Sequence, residues 1–136
     1  MTAVTKYFFD AVYTPSSTWS VVGWWERRRP MYNLAVGGAG LVSVAAMNLF
    51  SVLPPYPVPP VVPLIGILVY GVLANGFYTL GPLADLLIRW RWGHQYAAVG
   101  PAMLRYGFAF GVGLTLLPVP LSALWWVMRV VRLLFF

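Results

Sequence analysis

The sequence predicts an all-α integral membrane protein, one polytopic domain over residues 1–136. Three observations carry that prediction. Hydrophobic residues make up 60% of the chain and charged residues 9%, too little charge to give each surface helix a polar face. The apolar positions form unbroken runs, with no charged residue in 34–53 or in 61–84. At about 1.5 Å per helical residue, about 20 such residues cross a hydrocarbon layer about 30 Å thick. Finally, the cations gather at the ends of the apolar runs, where they meet lipid headgroups.

The elements follow in order. Residues 6–13 suit a short amphipathic helix lying at the interface, and Thr14-Pro15-Ser16-Ser17 forms a turn. Ser17 or Thr18 can cap a second short helix carrying Trp19, Trp24 and Trp25. Tryptophan prefers the headgroup level, because its ring is apolar and its N–H seeks a polar partner. Arg27, Arg28 and Arg29 follow directly and mark the same surface. Pro30 can open the first spanning helix, where its missing N–H costs nothing. That helix is expected at about 31–53, ended by the proline-rich run Pro54-Pro55-Tyr56-Pro57-Val58-Pro59-Pro60.

A second span is expected at about 61–80, stopped by Gly81-Pro82. Residues 83–96 then read as an interfacial helix, with Leu83, Leu86, Leu87 and Trp90 on one side and Asp85, Arg89 and Arg91 on the other. The last apolar run, about 104–128, contains Pro118 and Pro120. It permits a single helix kinked at the prolines, or a hairpin of two segments, 96–117 and 121–136, giving four spans. The hairpin returns Arg129 and Arg132 to the arginine-rich side, as the charge bias favours. It also buries Arg105 mid-span, at a cost of at least about 2.5 kcal/mol. Three spans are therefore the preferred reading, with the N-terminus cytoplasmic in a bacterial inner membrane. Lys6 and Asp10 interrupt the early apolar residues, so the N-terminus reads as mature chain, not a cleavable signal peptide.

Composition removes several chemistries. With no cysteine there is no disulfide, thiolate metal site or Cys nucleophile. The net charge of +6 does not predict nucleic-acid binding, because that needs a basic stripe facing water. Gly37-Gly38-Ala39-Gly40 is not a phosphate loop, since no Lys-Ser/Thr follows it.

A few residues remain as candidates. His94 is the one histidine and could ligate haem or bacteriochlorophyll, although a headgroup or backbone hydrogen bond is the simpler role. Arg105 is a functional candidate if it lies deep, where it could pair with Asp85 or hold a lipid phosphate, and a snorkelling interfacial cation if it does not. Asp85 and Arg89, four apart with the acid first, suit a solvated or interfacial ion pair. Arg91 is expected among the headgroups beside them. Asn75 inside the second span should seek a hydrogen bond to another helix. Ala35, Ala39, Ser43, Gly71, Gly107 and Gly111 are small enough to let helix backbones approach.

Trp24-Trp25-Glu26-Arg27-Arg28, with Tyr32-Asn33 at the head of the first long helix, resembles a segment of small bacterial inner-membrane proteins without an assigned activity. Asn75, Tyr78 and Leu80-Gly81-Pro82 are similar to that group's second helix. The resemblance implies a bacterial membrane and no known catalytic motif.

The functional expectation is a non-catalytic accessory subunit of a larger membrane complex, for example a photosynthetic or respiratory one. Its partners would be other integral membrane proteins and phospholipids, in a hetero-oligomer and not a homo-oligomer. No cofactor is required beyond bound lipid, with contact to bacteriochlorophyll, carotenoid or haem as a further option. Two alternatives stay open: a small oligomeric transporter or channel, and a pigment- or haem-binding subunit.

Overall fold

A computed structural model describes residues 17–93 and 99–135. The predictions for residues 6–13 and for His94 lie outside these described residues. The described chain is helical and holds five α-helices: α1 (Thr18–Glu26), α2 (Arg29–Val52), α3 (Leu64–Trp92), α4 (Val99–Leu116) and α5 (Pro118–Phe135). They assemble into three segments long and apolar enough to cross a membrane, Thr18–Val52, Leu64–Trp92 and Val99–Phe135, containing 18-residue stretches with mean hydropathies of 1.7, 1.6 and 1.7 respectively.

Helix α1 begins as its sequence dictates. The Ser17 side chain accepts a hydrogen bond from the Ser20 amide at 3.3 Å, which satisfies one of the first-turn donors. A single turn at Arg27 and Arg28 joins α1 to α2, and Pro30 sits in the first turn of α2. The observed α2 starts two residues before the predicted 31–53 and ends one residue earlier. Its buried positions are Tyr32, Val36, Ala39 and Ser43, spaced four, three and four apart, one stripe of a helix.

Helix α3 corrects the prediction of a stop at Gly81-Pro82. It runs without interruption for 29 residues, with Pro82 inside it, and absorbs most of the expected interfacial helix at 83–96. A proline within a helix removes one backbone bond and costs about 3 kcal/mol. Contacts on both sides of the proline hold the helix together. Pro82 itself is buried, Trp25 packs on Gly81, and Asp85 is tied to both Trp25 and Arg89. Gly93 ends α3 with φ 74° and ψ −165°, its N–H donating to the Arg89 carbonyl. Side-chain-bearing residues rarely adopt that conformation.

The third segment decides between kink and hairpin. Leu117 separates α4 from α5, because Pro118 and Pro120 supply no N–H to the helical ladder. Helix α5 does not fold back on α4. Instead α2 packs along α4 and then along α5. Contacts climb in step: Tyr32 meets Phe108 and Gly111, Ser43 meets Thr115, and Phe50 meets Trp126 and Arg129. Helices α2 and α4–α5 are therefore parallel, and α3 runs against them. This single bent unit extends beyond the predicted 104–128 at both ends.

The proline-rich link between α2 and α3 is held from two directions. Asn48 Oδ1 accepts from the Val61 amide at 2.7 Å, and the Ser51 carbonyl accepts from the Val58 amide at 2.9 Å. From α5, Trp126 Nε1 donates to the Pro54 carbonyl at 2.9 Å. Arg129 donates to the carbonyls of Phe50, Ser51 and Tyr56. The C-terminal carbonyls of α2 thus receive a guanidinium from another helix, where the helix macrodipole favours positive charge.

Candidate functional site: an aromatic groove beside a buried ion pair

The end of the bundle formed by α1, the start of α2, the end of α3 and the start of α4 contains the described core. Val21, Trp24, Trp25, Tyr32, Tyr78 and Leu104 are buried there together. Tyr78 lies at the centre of the aromatic set, with ring centroids 5.7 Å from Trp25 and 4.7 Å from Tyr32. Its hydroxyl donates to the Trp25 carbonyl at 2.7 Å. Trp24 and Trp25 meet edge to face at 5.3 Å, a favoured aromatic geometry.

Above this set sits Asp85, 2% exposed. Its Oδ1 accepts from Arg89 Nε at 2.9 Å, and its Oδ2 accepts from Trp25 Nε1 at 3.0 Å. A Cβ added at Gly100 would stand 2.7 Å from Oδ2, so the start of α4 closes directly over the carboxylate. One acid thereby joins α1, α3 and α4. The spacing of Asp85 and Arg89 predicted their ion pair correctly. It is buried, however, and not solvated, because α1 lies over this face of α3.

The same packing corrects several interfacial assignments. Trp24 and Trp25 are 5% and 2% exposed, packed inside the protein and not on its surface. Arg28 is buried as well. Its Nη1 donates to the Trp24 carbonyl at 2.9 Å, and its guanidinium lies 3.8 Å from the centroid of the Trp24 ring. Arg29 forms a two-pronged ion pair with Glu26 at 2.7 and 2.8 Å, and Arg27 donates to the Gly23 carbonyl. Trp19, Arg91 and Arg105 face outward. Asp85 takes Arg89 as its partner, and Arg105 is exposed on α4.

The predicted packing residues divide. Ala39 and Ser43 are buried, and Ser43 Oγ donates to the Thr115 carbonyl at 2.5 Å. Ala35 is half-buried at the edge of this stripe. Gly111 accepts the Tyr32 ring, whose hydroxyl would be 2.9 Å from an added Cβ. Gly71 and Gly107 have nothing within 4 Å of that position. Asn75 does not bridge helices. Its Nδ2 donates to the Gly71 carbonyl one turn back at 3.1 Å, and Tyr78 and Tyr70 make the interhelical bonds instead. Tyr70 shares a 2.5 Å hydrogen bond with Thr115 Oγ1.

Between α3 and α4 lies an apolar groove of about 620 Å³. Trp25, Tyr32 and Tyr78 contribute to its lining from the core, and Phe77 on α3 and Phe110 on α4 stand at its open side. Its volume falls in the range of small-ligand pockets, about 300–1,000 Å³. Sequence reading missed this groove, because it depends on helix pairing. Gly81 shapes its floor: a Cβ there would be 2.6 Å from the Trp25 ring. Gly81→Ala is expected to destabilise the protein by about 1–3 kcal/mol. Gly38→Ala, at a position with open space, should melt within a few degrees of wild type in detergent.

No protein family, curated protein or solved structure matches this chain.

Proposed function

We propose that the protein is a non-catalytic accessory subunit of a larger membrane complex, embedded through its three long helical segments and acting by packing against other integral membrane proteins. The observation that supports this reading is how the side chains are divided between inside and outside. Polar groups at the contacts, including Asp85, Tyr78, Ser43 and Arg129, tie one helix of this chain to another. Large apolar side chains face outward along every long segment, among them Leu41, Leu68, Val72, Phe110 and Trp125. In lipid, such a surface is at rest, and helices associate by close packing and not by hydrophobic expulsion. Gly37, Gly38, Gly71, Gly76 and Gly113 have no atom within 4 Å of an added Cβ. They leave notches on the outside of the bundle where the backbone of a partner helix can approach.

Extraction from native membranes in mild detergent, followed by a native gel probed for this chain, tests the proposal. The chain should migrate with larger proteins and be removed from that band by stronger detergent. Migration as the chain alone, or as a pure homo-oligomer, overturns it.

A further inference from the structure

We infer that the α3–α4 groove holds one acyl chain of an anionic phospholipid, with the phosphate at the arginine-rich end. The inference rests on the bilayer insertion proposed above, but not on the existence of a protein partner.

The groove has the shape of a chain-binding site. Its α3 wall extends from Tyr70 to Ala84, about 21 Å at the helical rise. That is deeper than one leaflet of a hydrocarbon layer about 30 Å thick, so a tail entering from one surface has wall along its whole length. The lining is almost entirely aromatic and aliphatic, and the hydroxyls of Tyr70 and Tyr78 on the same wall are engaged with Thr115 and Trp25. An apolar chain therefore meets apolar surface.

Charge identifies the end at which the headgroup sits. Beyond Ala84, α3 continues for two more turns to Arg91, which is exposed and lies on the groove side of the helix seven residues further on. Arg29 approaches the groove further along α3, with its guanidinium 5.0 Å from the centroid of the Tyr78 ring. Arg89 and Arg91 share this end of α3 with one carboxylate, Asp85. The excess of positive charge suits a phosphate and a net negative headgroup.

The floor argues against a partner helix as the occupant. Close helix approach needs small residues that leave backbone accessible. Here two of the glycines facing the groove are already covered, Gly81 by the Trp25 ring and Gly111 by the Tyr32 ring.

Native mass spectrometry of the full chain, stripped of lipid and then offered phosphatidylglycerol or phosphatidylcholine with matched tails, tests the proposal. Wild type should retain one phosphatidylglycerol at least about fivefold more strongly than phosphatidylcholine. Arg91→Gln should lower that preference about fivefold, the expected worth of one arginine at an anionic surface, while still holding a lipid. Gly107→Leu should lose both lipids, because its side chain enters the groove, and a Cβ at Gly107 meets nothing within 4 Å, so the bundle remains folded. Equal retention of the two lipids by wild type, or full retention by Gly107→Leu, overturns the proposal. A photo-crosslinker at Phe110 in native membranes separates it from the subunit reading. Adducts to lipid support the inference, whereas adducts to a protein helix overturn it and leave the subunit reading standing.

Discussion

Asp85→Leu is expected to destabilise the folded protein by about 3 kcal/mol, the lower end of the cost of breaking a buried ion pair by removing one partner. The lower end applies because the unfolded chain in detergent or lipid also finds partners for its polar groups. The substitution leaves Arg89, whose side chain is 10% exposed, without its carboxylate and leaves the Trp25 indole N–H without its acceptor. Each group then loses the partner that offset its desolvation at this contact. The leucine must also fit beneath Gly100, where the start of α4 already touches the carboxylate. Asp85→Asn should fall between wild type and Asp85→Leu, since an amide oxygen still accepts from the indole but does not neutralise Arg89. The double variant Asp85→Leu/Arg89→Leu should be more stable than Asp85→Leu alone, because it also removes the largely buried cation that the carboxylate neutralised. Denaturation by SDS, followed by tryptophan fluorescence and by circular dichroism, measures all four proteins. An Asp85→Leu variant within about 0.5 kcal/mol of wild type, the range of ordinary surface changes, would show that the carboxylate does not hold α1, α3 and α4 together.

Arg129→Leu is the second large effect, about 2–3 kcal/mol, with a local signature at the opposite end. Hydrogen bonds to charged groups contribute about 1.5–3 kcal/mol each, but a helix C-terminus facing water recovers part of that through solvation. The carbonyls of Phe50 and Tyr56 lose this donor, and the Ser51 carbonyl keeps only the Val58 amide. Arg129→Lys should recover less than half of the loss, since one ammonium group cannot reproduce the planar fork of the guanidinium. Hydrogen exchange separates this variant from Asp85→Leu. Arg129→Leu should accelerate exchange at Val58 and Val61, whose amides are bonded within the link, and leave the Trp25 end protected. Equal acceleration at both ends would mean that Arg129 acts on the whole bundle and not on the link.

Much of the architecture was legible from unbroken apolar runs and proline punctuation. The first long helix was placed to within two residues, because Pro30 and the Pro54–Pro60 run mark both ends. The same rule failed at Gly81-Pro82. There the local preference to stop is overridden by the indole of Trp25 and the carboxylate of Asp85, contacts made by residues far apart in sequence. The tandem tryptophans were misplaced for a related reason. Next to three arginines an indole suggests headgroups, and nothing local reveals that α3 presents a glycine for the ring and an acid for the N–H. The aromatic groove was invisible because its walls come from two helices with no shared local pattern. A faint signal did exist: Asp85 is an acid four residues before an arginine and three after a proline, an unusual charge to retain beside so apolar a stretch.

The Trp25–Asp85 hydrogen bond joins residues sixty positions apart, and that separation has a consequence for biogenesis. The tryptophan leaves the ribosome well before the aspartate that will anchor it. A nascent chain halted anywhere in the proline-rich link therefore holds α1 unlatched, and the latch can engage only after the following helix has been translated.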